Sequence, residues 1–285
     1  GVESERSMPF IIATAASVYL FSLDSFALRL PSVIFAVLTI VVTYFWSESL
    51  FEGNMVLVAP AILSFSSWHV AMSQNARMYM MFQFLYLCTF FLVYKYLCTN
   101  RKILIISAAV FASLSALTHV TAYVLPLTIP LVLYISSEEK PRSAYIFGFI
   151  IAISTAFIAQ GYYFEFSDVL SRFTPNIVSS YSHLTWLIFN IPLVTVAGAY
   201  GLVKSFNQNR KLFYVCSLGV IPPSLVYYFL VELPASRYLF FTLTFLALLS
   251  SYGLNIMLKR HCISGKKAYA VVVVFIVVSI GVSGN

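Results

Sequence analysis

The feature that most constrains this chain is a series of long apolar runs separated by short polar segments. A membrane crossing needs about 20 apolar residues, and most of the runs approach that length. With 60% hydrophobic and only 9% charged residues, the chain can be neither a water-soluble enzyme nor a disordered protein. We therefore predict an all-α polytopic membrane protein with about ten transmembrane helices, at residues 27–47, 55–72, 78–97, 103–118, 120–135, 143–163, 185–203, 212–230, 238–258 and 268–285.

The first apolar run, from Met8 to Leu23, is too short to cross a membrane. It makes about 24 Å of helix, whereas the hydrocarbon core is about 30 Å thick. We therefore expect one short interfacial or re-entrant helix here. The chain divides into residues 1–25, which hold this helix, and a transmembrane domain of residues 26–285, whose largest outer loop covers about 164–184.

The basic residues sort the loops into two sides of the membrane. All eight lysines fall in one set of alternate loops, and short loops rich in Lys and Arg face the cytoplasm. This sorting requires residues 103–135 to cross twice with a turn at Thr118-His119, whereas the alternative is one long helix kinked at its prolines. The net charge of +7 therefore orients the protein and does not indicate a nucleic-acid partner.

Five arginines remain on the opposite, extracytoplasmic side, which carries no lysine. A cation at the edge of the hydrocarbon is costly, and a planar guanidinium suits a phosphate or carboxylate partner. The alternative is that each side chain reaches lipid headgroups or pairs locally, for example Arg29 with Asp24 or Arg237 with Glu232. The five are Arg6, Arg29, Arg77, Arg172 and Arg237.

Four short motifs lie at the outer ends of the predicted spans. They are Phe-Ala-Leu-Arg-Leu-Pro-Ser at 26–32, Ser-Gln-Asn-Ala-Arg-Met-Tyr at 73–79, Leu-Thr-His at 117–119 and Ser-Arg-Tyr-Leu at 236–239. In order and spacing they resemble the polyprenyl-phosphate-sugar-dependent glycosyltransferases of family 39. This superfamily contains the protein O-mannosyltransferases and the lipid A aminoarabinose transferases. The resemblance implies a GT-C-like fold.

The resemblance also implies an activity and its partners. We expect an integral-membrane enzyme that moves a sugar from a polyprenyl phosphate, dolichyl or undecaprenyl, to a protein, lipid or glycan acceptor. Transfer is expected on the extracytoplasmic face of a multi-pass protein in a prokaryotic cytoplasmic membrane or in the ER membrane. Membrane lipid is a further partner. No cofactor is expected beyond the lipid-linked donor, which is a substrate, and the sequence leaves a divalent metal open.

Residue by residue, the resemblance implies that Arg29 contacts the lipid phosphate or holds the loop that does, and that Arg77 and Arg237 line the same cavity. The physical chemistry agrees, because the phosphate leaves with developing negative charge that cations stabilise. The tyrosines of the motifs fit an interfacial aromatic belt equally well, and the histidine also fits the cap of a tight turn. Hydrogen bonds to the sugar or phosphate are expected from Gln74, Asn75, Tyr79, His119 and Tyr238.

The sequence does not supply the catalytic base that the resemblance implies. A hydroxyl acceptor needs a carboxylate within hydrogen-bond reach, and family members carry an Asp or Glu in a long first extracytoplasmic loop. We expect this residue upstream of Gly1, so that the chain is N-terminally truncated and the fragment lacks it. Asn75 stands where relatives often have an acidic residue. The predicted outer loop contains three charged residues that could bind an acceptor or could simply form a solvated surface. They are Glu165, Asp168 and Arg172.

A transporter or a non-catalytic lipid-handling protein is the alternative class. Secondary transporters carry ionisable residues near mid-membrane and internal repeats with broken helices, whereas the predicted spans show neither. A metal site is not predicted either. His69, His119 and His183 share the outer side, but no carboxylate cluster accompanies them.

Overall fold

The computed structural model describes residues 7–136, 191–230 and 239–281, together with the isolated positions 150 and 154. In these ranges every regular element is a helix and no strand occurs, which confirms the all-α prediction. Two 3-10 helices cover Gly53–Leu57 and Val120–Val124. The α-helices are α1 (Met8–Phe21), α2 (Ser25–Glu48), α3 (Val58–Phe65), α4 (Ser67–Ser73), α5 (Tyr79–Thr99), α6 (Lys102–Thr118), α7 (Leu125–Ser136), α8 (Pro192–Gln208), α9 (Arg210–Leu230), α10 (Thr242–Arg260) and α11 (Gly265–Gly281).

Three of the described helices, α2, α5 and α10, are each long and apolar enough to cross a membrane. A fourth crossing is present if α3 and α4 together form one bent span. Helix α1 has 14 residues and is about 21 Å long, which agrees with the prediction of a short first helix. The total of about ten spans also depends on residues 231–238 and on residues 137–190, of which only positions 150 and 154 are described, and stays a prediction.

A proline near the start of α2 ties this helix to α1. Pro31 has no N–H, so the carbonyl of Ala27 one turn earlier loses its helical hydrogen bond. The Ser17 hydroxyl of α1 donates to that carbonyl at 2.6 Å instead. The backbone N–H of Ala27 donates to the Asp24 carboxylate at 2.7 Å, which caps the helix. Both backbone groups of Ala27 are therefore held by side chains.

Residues 55–72, predicted as one span, do not form one continuous helix. The chain forms a 3-10 turn, then α3, then α4, and the last two helices meet at a bend of 59°. Ser66 causes the break, because its backbone is extended (φ −66°, ψ 119°) and its hydroxyl accepts from the N–H of His69 to cap α4. A serine that caps a helix in this way ends the helix before it.

The break that the sequence predicts at Thr118-His119 is confirmed. Helix α6 ends at Thr118, and His119 is extended with φ −154° and ψ 139°. The His119 ring then caps the 3-10 helix that leads into α7. The alternative of one long kinked helix over residues 103–135 is therefore wrong.

Helix α5 is packed on several sides, and its aromatic side chains build much of the core. Tyr86 and Phe90 contact Phe245 of α10 with ring centroids 6.1 and 5.5 Å apart. The Tyr86 hydroxyl also donates to the carbonyl of Gly219 in α9 at 2.8 Å. Pro223, four residues later, has no N–H to give that carbonyl. A side chain again satisfies a carbonyl that a proline leaves open.

Helices α8 and α10 cross with their backbones in contact. A Cβ added to Gly201 would overlap the carbonyl of Leu249, and one added to Gly253 would overlap the carbonyl of Ala197. The Ser250 hydroxyl lies 2.6 Å from the carbonyl of Val194 across the same interface and 2.6 Å from the carbonyl of Leu246 in its own helix, so its proton is shared between the two. Small residues permit such close crossings, which stabilise helix pairs in lipid through van der Waals contact.

Candidate functional site

The first turns of α2 present one predicted site residue, Arg29. Its side chain is exposed, whereas Ala27 and Ser32 on either side of it are fully buried. The Asp24 carboxylate that was an alternative partner for this arginine accepts from the backbone of Ala27 instead. The start of α2 is thus anchored by its backbone, and the guanidinium extends from an anchored turn.

The loop between α4 and α5 presents three more predicted residues, Gln74, Asn75 and Arg77, all of them exposed. Local bonds shape the loop: the Asn75 amide donates to the Ala71 carbonyl at 3.1 Å, and the N–H of Arg77 donates to the Asn75 carbonyl at 2.8 Å. Tyr79, the fourth residue predicted here, is the first residue of α5 and is only 4% exposed. It lies inside the helix packing and not in an exposed aromatic belt.

A hydrogen bond joins these two segments. The Ser32 hydroxyl of α2 donates to the backbone carbonyl of Arg77 at 3.2 Å. Arg29 lies three positions before Ser32, and residues at this spacing share one face of a helix. The structure therefore brings the Arg29 and Arg77 segments together, and the bond between them runs through a serine to which the sequence assigned no role.

His119 packs against the first turn of α5, which directly follows this loop. Its ring lies 5.8 Å from the Tyr79 ring and 4.9 Å from the Phe82 ring, measured between centroids. Its Nδ1 accepts from the N–H of Thr121 at 3.2 Å and lies 2.8 Å from the Thr121 hydroxyl. In the neutral ring the proton therefore sits on Nε2. The ring acts as a buried cap beside the loop that carries Arg77.

The segment before α10 is also fixed against α4 and α5. Leu239, Phe240 and Phe241 are buried, and the Phe240 ring lies 5.1 Å from Trp68 and 5.8 Å from His69. The start of α10 thus packs beside the helices that flank the Arg77 loop. The residues just before it, Arg237 and Tyr238, lie outside the described residues, as do the three predicted acceptor residues Glu165, Asp168 and Arg172.

Sequence reasoning also missed Gln83, a polar residue inside the apolar α5. It is 1% exposed, and its side-chain amide lies 3.5 Å from the carbonyl of Phe240. A lone glutamine in an apolar span is a signal for an interhelical hydrogen bond. Across the described ranges no cluster of three His, Cys, Asp or Glu side chains suits a metal ion.

The sequence matches the model of one protein family. The dolichyl-phosphate-mannose-protein mannosyltransferase model matches residues 8–164, which is more than half of the chain. The chain belongs to this mannosyltransferase family. The matched region contains the motifs around Arg29, Arg77 and His119, and the resemblance that those motifs indicated is confirmed.

Solved structures show that this mannosyltransferase-family chain has the GT-C membrane fold. ArnT from Cupriavidus metallidurans bound to undecaprenyl phosphate has a TM-score of 0.71 at 12% identity, with 96% of this chain and 60% of that chain covered. The apo state of the same protein gives a TM-score of 0.67 at 12% identity, with 86% and 48% covered. The Archaeoglobus fulgidus oligosaccharyltransferase tethered with an acceptor peptide gives 0.62 at 10% identity, with 98% and 45% covered.

The chain therefore spans 60% of the ArnT chain and less than half of the oligosaccharyltransferase chain. No curated protein matches the sequence. The apolar helices and the membrane glycosyltransferases that share the fold identify an integral membrane protein.

Proposed function

We propose that the protein transfers a sugar from a polyprenyl phosphate to an acceptor at the outer face of the membrane. Family membership supports the reaction class. ArnT, which shares the fold, binds undecaprenyl phosphate, and the oligosaccharyltransferase takes an acceptor peptide. The donor is a dolichyl- or undecaprenyl-phosphate sugar, and the acceptor is a protein, lipid or glycan.

The observation that carries the proposal is the hydrogen bond from Ser32 to the Arg77 carbonyl. It brings together the first turns of α2, which bear the exposed Arg29, and the loop before α5, which bears the exposed Arg77. Two guanidinium groups that bind one phosphate neutralise its negative charge, and each planar guanidinium can donate two hydrogen bonds to a pair of phosphate oxygens. Helix α5 separates Arg77 from the basic residues Arg101 and Lys102 by 21 residues, or about 31 Å, as expected for opposite membrane faces.

In the proposed reaction the acceptor atom attacks the anomeric carbon of the sugar, and the bond from that carbon to the phosphate oxygen breaks. The lipid phosphate leaves with the bonding electron pair, and its new negative charge lies against Arg29 and Arg77. A carboxylate base takes the proton of the acceptor. Arg237 and Tyr238 complete the donor pocket, and the exposed Gln74 and Asn75 bind the sugar. The buried Tyr79 and His119 support the pocket from within the helix packing.

The test uses the full-length protein in membranes with mannose linked to dolichyl or undecaprenyl phosphate as donor. We expect Arg29→Ala and Arg77→Ala each to lower transfer about 10- to 100-fold, the effect of one hydrogen-bonded charge contact. Binding of undecaprenyl phosphate to the purified protein is measured in parallel. Both variants should bind this lipid more weakly than the unaltered protein.

Arg101→Ala is the matched control, because this exposed arginine lies just beyond the other end of α5. It should leave both transfer and lipid binding unchanged. Equal lipid binding by Arg77→Ala, Arg29→Ala and the unaltered protein would refute the assignment of these arginines to the donor phosphate. Lipid binding without transfer of any donor sugar would instead favour a lipid-handling protein.

A further inference from the structure

Hydroxyl groups on the helices mostly donate to a carbonyl of their own helix. On α2, the Thr39 hydroxyl donates to the Phe35 carbonyl at 2.7 Å and the Thr43 hydroxyl to the Thr39 carbonyl at 2.8 Å. This local bond satisfies a hydroxyl that has no water nearby. A buried hydroxyl that donates to another segment departs from this pattern, and it links the two segments.

Ser32 departs from the pattern at the candidate site. Ser32 is 0% exposed, and its hydroxyl donates to the carbonyl of Arg77, 45 positions away in the sequence. The acceptor is a backbone group of an exposed loop, so the bond fixes the loop itself and not one of its side chains. Arg29, three positions earlier, lies on the same face of α2.

The turn that carries Ser32 is itself held from behind. The Ser17 hydroxyl and the Asp24 carboxylate occupy both backbone groups of Ala27, at 2.6 and 2.7 Å. The start of α2 therefore cannot shift without breaking bonds to α1 and to its own cap. The hydrogen bond from Ser32 therefore holds the Arg77 loop in a fixed position relative to α2.

We propose that Ser32 is a positioning residue that holds the Arg77 loop against α2 and so sets the distance between the Arg29 and Arg77 guanidinium groups. The proposal rests on the proposed function, in which both groups bind one phosphate. Two forked donors bind one anion well only at a defined separation, because hydrogen bonds weaken steeply outside their narrow range of length and angle.

The first measurement follows the loop directly. A nitroxide spin label is attached at Ala76→Cys, an exposed loop position, in a full-length background in which the exposed Cys98 and Cys262 are replaced by serine. Electron paramagnetic resonance then reports the mobility of the label. We expect Ser32→Ala to increase this mobility.

Ser47→Ala is the matched control. Ser47 is also 0% exposed and also lies on α2, but its hydroxyl has no hydrogen-bond partner. It lies 15 positions from Ser32, or about 22 Å along the helix. Its removal should leave the label at position 76 as immobile as in the unaltered chain.

The second measurement is the affinity of the purified protein for undecaprenyl phosphate. We expect Ser32→Ala to weaken binding about fivefold, the effect of one net intramolecular hydrogen bond, and Ser47→Ala to leave it unchanged. In an Arg77→Ala background, Ser32→Ala should weaken binding no further. A purely structural role for Ser32 would give the same fivefold loss in both backgrounds.

The outcomes separate this proposal from the proposed function. If Ser32→Ala leaves the label immobile, or weakens binding equally in both backgrounds, the positioning role is overturned. If the label is released but Arg77→Ala binds undecaprenyl phosphate normally, the phosphate assignment fails, while the role of Ser32 in holding the loop stands.

Discussion

A methyl group added to Gly201 should push α8 and α10 apart. Its carbon would lie 2.8 Å from the carbonyl carbon of Leu249 and closer still to the oxygen, against an ordinary contact distance of about 3.5–4.0 Å. Both clashing atoms belong to backbone, so no side-chain rotation relieves them. The helices have to separate by about 1 Å or more to restore that contact distance.

The free-energy cost follows from that displacement. Overpacking costs about 1–3 kcal/mol, and the separation also stretches the Ser250 bond to Val194, worth about 0.6 kcal/mol in a membrane protein. Alanine recovers about 1 kcal/mol of helix propensity. We therefore expect Gly201→Ala to destabilise the protein by a net of about 2 kcal/mol and to lower its midpoint of thermal unfolding by about 4–8 °C.

The assay is thermal unfolding of the full-length protein in detergent, followed by tryptophan fluorescence. Gly198→Ala is the matched control one turn earlier, because its new carbon would lie 3.2 Å from the Leu246 and Ser250 side chains and at an ordinary contact distance of 3.4 Å from the Leu246 carbonyl oxygen. These side chains can adjust, so its midpoint should stay near that of the unaltered protein. A Gly201→Ala midpoint equal to or above that of Gly198→Ala would refute the close backbone crossing.

Three further changes test the hydrogen bonds that organise the helices. Tyr86→Phe leaves the Gly219 carbonyl unsatisfied and should lower the free energy of unfolding by about 1–3 kcal/mol. Adding Pro223→Ala restores an N–H for that carbonyl and should recover most of the loss. No recovery would contradict the inference that Pro223 leaves this carbonyl without a helical partner. Asp24→Ala removes the cap of α2 and should cost about 1 kcal/mol, whereas Asp24→Asn should retain most of it. Ser250→Ala should lower stability by about 0.6 kcal/mol, measured by the same unfolding midpoints.

The helical membrane fold was predictable because the hydropathy of an apolar run decides its environment by itself. The break at Ser66 was not, since serine is common inside apolar helices and caps the next helix only when the local backbone turns outward. The break at His119 was predictable because the charges on both sides of it required two crossings. A helix break that changes the side of the membrane on which the following loops lie is visible in the distribution of Lys and Arg. The bend at Ser66 lies within one predicted apolar run that carries no Lys or Arg, so nothing in the charge pattern marks it.

Part of the candidate site was likewise predictable from the sequence and part was not. Arg29 and Arg77 were identified because arginines on a predicted outer face that carries no lysine are unusual whatever surrounds them. The bond that joins their segments was not, because Ser32 is an ordinary residue and its acceptor is a main-chain carbonyl 45 positions away. Sequence patterns identify unusual side chains, whereas contacts to backbone atoms depend on how the helices pack.

That the Ser32 bond ends on main chain has a consequence for redesign. Any amino acid at position 77 offers the same carbonyl, so the side chain there can be exchanged without loss of the tether. Ser32 therefore determines where the backbone at position 77 lies, whereas the residue at position 77 determines which chemical group is presented there. In the proposed donor site, position 77 is therefore the place to alter the headgroup preference, since the Ser32 bond would hold a new side chain at the same location.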